Sequence, residues 1–304
     1  MPFTLSHAAA VLPAVRGDGS GRGRLVPAVL VAGSFSPDMT YYAASAVSGG
    51  MEFGAVTHSL TGVFGLDVLV AWALVALWLL VREPLVALLP RSRQGLWAAL
   101  TRCGAAGAPL RASSVLWWYV CAALGSLTHV VWDAFTHPGR WGTRVFPVLG
   151  QQLAGAPVYW YLQYGSSALA AVVLAGFLVR ALRRVPAGAP VGVPALSVRD
   201  RWWAGAVIAG CAAVGAVQRT AQDWATVRGA RAGFWDLVPT LCFGAGAGLV
   251  LGLPLWALGV RAWRPAVRVP GRGATGTGPV GDGAPSERGG TGHRPSEGDT
   301  VGHR

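Results

Sequence analysis

Histidine and aspartate residues recur at or within the apolar segments of this 304-residue chain, although charged residues make up only 12% of it. The recurring residues are His7, Asp38, His58, His129, Asp133 and His137. Ionisable groups are costly in a bilayer, and they usually face one another, water or an ion. Imidazole and carboxylate groups are also common metal ligands. The pattern therefore predicts a metal site built between transmembrane helices.

The most informative spacing lies in the run THVVWDAFTHPG. His129 and Asp133 are four residues apart, so both side chains project from one face of a helix. This is a spacing at which two helical residues can bind one metal ion. His137 follows one turn later, just before Pro138 and Gly139, which end the helix. Three potential ligands thus occur within nine residues at the edge of an apolar segment.

Each candidate also has an ordinary structural explanation. His129 and Asp133 could form a hydrogen bond between helices, and Asp38 could be a turn or capping aspartate after Pro37. His58 could be an interfacial histidine between capping hydroxyls, and His7 a packed core residue. Taken together, these explanations require a separate reason for nearly every histidine outside the C-terminal tail, which favours the metal site.

Histidine and carboxylate ligands without cysteine suit Zn²⁺, with Mn²⁺ or Fe²⁺ as alternatives. Six ligands exceed the number that one tetrahedral zinc ion uses, so the sequence leaves open one ion or two ions bridged by an aspartate. Two ions could activate a water molecule and hold a phosphate or ester oxygen. Some of the six residues could instead form a hydrogen bond with a ligand imidazole and orient it without binding the metal themselves.

Two further acidic residues are candidate catalytic groups. Glu52 precedes His58 closely and is a candidate general base, and Asp67 lies inside the first predicted span. A carboxyl group inside a span is functional by default. Gln163, Tyr164 and Ser166 form a polar group at the start of the third predicted span, where they are expected to line the same pocket.

The composition predicts an all-α, polytopic membrane protein. Hydrophobic residues make up 53% of the chain, and the mean hydropathy is +0.45. Five segments are predicted to span the membrane: Val63–Val81, Ser113–Thr136, Gly165–Leu182, Trp203–Val217 and Leu237–Val260. The stretches Pro2–Val15 and Leu25–Phe35 are too short to span alone and are predicted to form a short N-terminal helical hairpin. Residues 1–264 are thus expected to form the membrane domain, and residues 265–304 a disordered tail rich in Gly, Pro and Arg.

The net charge of +12 does not indicate nucleic-acid binding, because the arginines are dispersed among loops instead of gathered on one face. The chain has no lysine, and its composition is typical of a GC-rich, actinobacterial genome. More arginines follow the first, third and fifth spans than the second and fourth. The positive-inside rule then predicts a multi-pass plasma-membrane protein whose tail is cytoplasmic and whose candidate ligands lie near the outer face. The oligomeric state is left open.

The ordered motifs MPFTLSHAAAVLP, GSFSPDM, THSLTG, SLTHVVWDAFTHPG and LQYGSS resemble the DUF4184 family of bacterial membrane proteins over roughly residues 1–260. That family is similar to membrane-bound metal-dependent hydrolases of the YdjM type, distantly related to zinc-dependent phospholipases C. The resemblance implies a metal-dependent hydrolase with His7, Asp38, His58, His129 and Asp133 as metal ligands. His137 lies beyond the common pattern of the wider family.

The first hypothesis is therefore a membrane-bound metal-dependent hydrolase that acts on phosphodiester or ester bonds of lipids or lipid-linked substrates near the outer interface. A second hypothesis is a non-enzymatic protein in which the His/Asp cluster is a structural hydrogen-bond network or metal-binding scaffold. A transporter is a third, but it would need polar groups along several spans, and the last two predicted spans carry almost none.

Overall fold

The computed structural model describes residues 4–47, 49–103, 112–186, 188–189, 191–225 and 234–264, and these are mostly helical, with almost no strand. The predicted disorder of residues 265–304 therefore lies outside the described residues. The helices, in chain order, are α1 (Ala8–Val11), α2 (Pro27–Phe35), α3 (Met39–Ala43), α4 (Gly54–Thr57), α5 (Leu60–Phe64), α6 (Leu66–Ala87), α7 (Arg91–Arg102), α8 (Ala112–Thr136), α9 (Trp141–Val145), α10 (Val158–Arg184), α11 (Val198–Ala225) and α12 (Phe234–Trp263). Short 3-10 turns cover Thr4–His7, Leu12–Ala14, Ser36–Asp38 and Pro147–Gly150. A two-residue antiparallel pair, β1 (Gln152–Leu153) and β2 (Ala156–Pro157), was not anticipated.

Five of these helices are long and apolar enough to cross a membrane: α6, α8, α10, α11 and α12. The all-α membrane bundle with five spans is thus confirmed. The predicted bounds were too narrow for the fourth span, because α11 continues at both ends through polar residues such as Arg199 and Gln218. With 28 residues, α11 is long enough to cross without a thinned bilayer.

The first span begins later than predicted. The prediction started it at Val63, but a break at Gly65 separates the short helix α5 from α6. Gly65 adopts φ −124° and ψ −93°, which is not helical. The Ser59 hydroxyl accepts a hydrogen bond from the Gly62 N–H and so caps α5 independently. As a result His58 lies on a separate short segment that can turn towards the end of α8.

The N-terminal hairpin is present, with the helical stretch Thr4–Ala14 followed by α2. Pro27 occupies the first turn of α2, where its missing N–H costs nothing. The second arm packs tightly against α8 through two glycines: a Cβ atom at Gly33 would overlap the Ala122 carbonyl oxygen, and one at Gly125 would overlap that of Leu30. This contact fixes the end of α2, and the turn after it, beside the last turns of α8.

Gly125→Ala is expected to separate α2 from α8 and to weaken metal binding by about tenfold or more, although Gly125 is not itself a candidate ligand. An added methyl group must displace backbone, which no side-chain rotation can relieve. Equilibrium metal titration of the purified protein measures the effect. Gly165→Ala is the matched control, because its Cβ meets open space. Unchanged affinity in Gly125→Ala would show that the α2–α8 contact does not position the site.

Candidate metal centre

Four buried side chains from three separate segments converge where α6 begins and α8 ends. Asp38 ends the turn after α2, His58 follows α4, and His129 and Asp133 lie on the last turns of α8. Their four donor atoms all lie within 4.8 Å of one another, so the group could hold a metal ion. No residue of the group is more than 8% exposed.

Four of the six distances between these donor atoms lie near those around a tetrahedral ion. Asp133 Oδ2 lies 3.4 Å from both His58 Nε2 and His129 Nε2. Asp38 Oδ1 lies 3.7 Å from His58 Nε2 and 3.5 Å from His129 Nε2. Ligands at the usual zinc distances are separated by about 3.3 Å in a tetrahedron. Direct hydrogen bonds between nitrogen and oxygen are shorter, about 2.7–3.2 Å. The separations between the four atoms are therefore longer than direct hydrogen bonds and compatible with ligands of one ion.

The orientation of the two imidazoles supports the same interpretation. His58 Nδ1 lies 2.9 Å from the Gly54 carbonyl oxygen, and His129 Nδ1 lies 2.7 Å from that of Ser34. A carbonyl can only accept a hydrogen bond, so each Nδ1 carries the proton. In a neutral ring each Nε2 then presents a lone pair to the centre of the group. Backbone carbonyls orient metal-binding histidines in this way.

Hydrogen bonds from two threonines hold in place the segments that bear Asp38 and His58. The Thr4 hydroxyl donates to Asp38 Oδ2 at 2.6 Å, which leaves Oδ1 free to face the imidazoles. The Thr57 hydroxyl donates to the Pro37 carbonyl at 2.8 Å and ties the turn that bears Asp38 to the segment that bears His58. Burial opposes ionisation of Asp38, but positive charge on the adjacent His129 ring and the hydrogen bond from Thr4 lower the pKa of this carboxyl below its usual value. A cation bound in the centre of the group would favour the anionic form of Asp38 in the same way.

His7 and His137 adjoin this group on the other side of Asp133. His7 Nε2 lies 3.5 Å and His137 Nδ1 lies 3.4 Å from Asp133 Oδ1. The His7 ring stacks on that of His129 with centroids 3.7 Å apart. Burial and the nearby His129 lower the pKa of His7 to about 3, so its imidazole is neutral at physiological pH. A neutral imidazole is the form that binds metal.

Residues 1–257 match the family described as "Domain of unknown function (DUF4184)". The chain belongs to the DUF4184 family. The match includes every one of the six candidate ligands and four of the five spanning helices in full. No curated protein and no solved structure matches the chain.

The two candidate catalytic residues of the DUF4184 chain lie in different surroundings. Glu52 is exposed on the turn before α4. Asp67 is fully buried in the first turn of α6, where its Oδ2 accepts a hydrogen bond from the Ser126 hydroxyl at 2.6 Å. It also interacts electrostatically with His58 and His129. Asp67 is thus close enough to His58 and His129 to influence their charge. The catalytic roles of Glu52 and Asp67 stay predictions.

The three polar residues at the start of α10 in this DUF4184 structure lie in different surroundings. Ser166 accepts a hydrogen bond from Trp132 Nε1 at 3.1 Å, Gln163 is buried, and Tyr164 is exposed. The Trp132 ring packs edge-on against that of His7, with the ring centroids 5.4 Å apart, a contact that the sequence did not predict. Its position one residue before Asp133 was the only sequence signal for this contact. Thr4 and Thr57 were also missed, because a threonine hydroxyl carries no recognisable spacing.

Proposed function

We propose that this protein is a membrane-bound metal-dependent hydrolase whose first ion, best fitted by Zn²⁺, is held by Asp38, His58, His129 and Asp133. The observation that carries the proposal is the convergence of four buried donor atoms within 4.8 Å of one another, with both imidazoles oriented by backbone carbonyls. Two carboxylates and one divalent cation are together neutral, which suits a buried site. Mn²⁺ and Fe²⁺ are the alternatives for the same donors.

The position of the donors favours a substrate at the membrane interface. The group lies where α6 begins and α8 ends, and both helices are membrane spans. A bound divalent cation would polarise the scissile group and lower the pKa of a water molecule. The protein's own side chains would bind and orient the substrate. A phospholipid or lipid-linked ester can present its scissile bond at this depth. The proposed orientation of the site towards the outer face, with a cytoplasmic tail, rests on the distribution of arginines.

Arg140 supports a phosphodiester in preference to a carboxylic ester. Its guanidinium donates to the Tyr41 hydroxyl at 3.4 Å, and the Tyr41 ring lies 5.5 Å from that of His58. The positively charged Arg140 side chain is thus held by Tyr41, a neighbour of His58. Guanidinium groups bind phosphate oxygens through charge-assisted hydrogen bonds. A neutral carboxylic ester would gain less from this residue.

Hydrolysis of a chromogenic phosphodiester, compared with a carboxylic ester of the same leaving group, tests the proposed function. We expect metal-dependent cleavage of the phosphodiester. Arg140→Gln should lower kcat/KM roughly 10-fold or more, as loss of a charge-assisted hydrogen bond of about 1.5–3 kcal/mol predicts. Arg144→Gln, an exposed arginine of the same segment, is the control. Absence of hydrolysis by metal-loaded wild type in both assays and on phospholipid micelles would reject the hydrolase.

A structural metal centre is the second candidate function. Structural zinc sites are closed by four protein ligands, whereas catalytic sites keep an open position. The four-donor group alone fits the closed type. In that case the protein would bind metal tightly, require it for thermal stability and hydrolyse neither substrate, so the same preparations separate the two functions.

A further inference from the structure

We infer that a second divalent cation binds between His7, Asp133 and His137, with the Asp133 carboxylate bridging the two ions; this inference rests on the proposed function. The two oxygens of Asp133 face different pairs of imidazoles. Oδ2 faces His58 and His129, whereas Oδ1 lies 3.5 Å from His7 Nε2 and 3.4 Å from His137 Nδ1. Both distances from Asp133 Oδ1 are longer than a direct hydrogen bond and lie near the separation of two donors around one ion.

The buried atoms at this position lack partners. His7 is fully buried, and neither of its ring nitrogens has a hydrogen-bond partner among the described residues. Asp133 Oδ1 is buried and equally unpartnered within the described part of the chain. Burying polar atoms without partners is costly, so native structures nearly always satisfy them. One cation at this position would give a partner to both Asp133 Oδ1 and one nitrogen of His7.

The second position is also the accessible one. The side chain of His137 is 17% exposed, whereas those of the other five candidate ligands are at most 6% exposed. Three protein donors leave a coordination position for water or substrate, as catalytic zinc sites require. The first set has four donors and is closed. The second cation would therefore make contact with the substrate, while the first would hold Asp133 in place.

The charge of the paired centre indicates the class of substrate. Two aspartates contribute two negative charges and two divalent cations four positive ones, so the centre carries an excess of positive charge. Arg140, which donates to Tyr41 beside His58, adds a further positive charge on the side of the first ion. A phosphodiester anion offsets part of the excess positive charge, and a neutral ester offsets none. Two-metal sites commonly clamp phosphate oxygens in this way.

Titration with Mn²⁺ alone tests the inference in the full-length protein, purified in lipid nanodiscs and stripped with a chelator. We expect wild type to bind two Mn²⁺ ions per chain and to give the electron paramagnetic resonance signal of a spin-coupled pair. His137→Ala should bind one ion and lose the coupled signal. His7→Ala should do the same, but because His7 is fully buried, the partly exposed His137 supplies the decisive variant. His293→Ala, the same substitution in the tail, should retain two ions.

The outcomes also separate this inference from the proposed function. Saturation of wild type at one ion, lost in His129→Ala, would overturn the second cation and leave the four-donor centre in place. Two ions retained in His137→Ala would overturn the assignment of its ligands. If His7 only oriented Asp133, His7→Ala would weaken one ion by about 10–100-fold without changing the stoichiometry. Two coupled ions without phosphodiester hydrolysis would support the second cation and reject the hydrolase.

Discussion

Asp133→Ala is expected to abolish metal binding and hydrolysis while leaving the protein inserted in the membrane. Asp133 is the only described residue that faces all four histidines, with Oδ2 directed to one pair and Oδ1 to the other. Its loss removes a donor from the first ion and the bridge to the second. If the ions contribute about 4 kcal/mol to transition-state stabilisation, the rate falls by about 10³-fold. Metal content by mass spectrometry and phosphodiester hydrolysis measure the two losses.

His129→Ala should have the same effect, since His129 contacts both aspartates through Nε2 and the α2 backbone through Nδ1. Asp200→Ala is the matched control, because this carboxylate pairs with Arg264 and has no contact with the candidate ligands. Insertion is checked by size-exclusion chromatography in detergent, where all variants should elute as wild type does. Full metal occupancy in either Asp133→Ala or His129→Ala would show that the four-donor group is not the metal site.

Much of the fold could be predicted because the bilayer requires long apolar helices. The five spans follow from segment length and hydropathy, and only their ends were misplaced. The error at Val63 arose because hydropathy does not detect a backbone break, and Gly65 interrupts an apolar stretch without lowering its hydropathy. The end of α11 was missed for the opposite reason, since polar residues such as Gln218 can continue a helix beyond its apolar core.

The candidate site could be predicted as a set of residues but not as an arrangement. Ionisable residues are so rare in the apolar segments that each one is a candidate functional residue. Helical spacing then pairs His129 with Asp133. Which imidazoles face each of the two carboxylate oxygens of Asp133 depends on the rotamer of the Asp133 side chain and on where α2 ends. The roles of Thr4 and Thr57 depend on tertiary contacts between segments 34 and 20 residues apart. No local pattern encodes these contacts.

Removal of metal by a chelator is expected to lower the thermal stability of wild type strongly. Without a cation, two carboxylates and the bare Nε2 atoms of His58 and His129 are enclosed in a site with little access to water. A ligand present at 1,000 times its dissociation constant stabilises the folded state by about 4 kcal/mol. Thermal melting monitored by tryptophan fluorescence, with and without chelator, measures the difference.

The double variant Asp38→Asn/Asp133→Asn separates loss of the ion from a nonspecific effect of the chelator. Asparagine preserves the shape of both side chains but removes the negative charges that attract the cation. The melting temperature of the double variant should then no longer respond to the chelator, because the anionic donors are gone. A hydrogen-bonded network of imidazolium and carboxylate groups predicts instead that wild type itself is insensitive to the chelator. The response of wild type, compared with that of the double variant, therefore distinguishes a metal centre from a hydrogen-bonded ionic network, independently of any substrate.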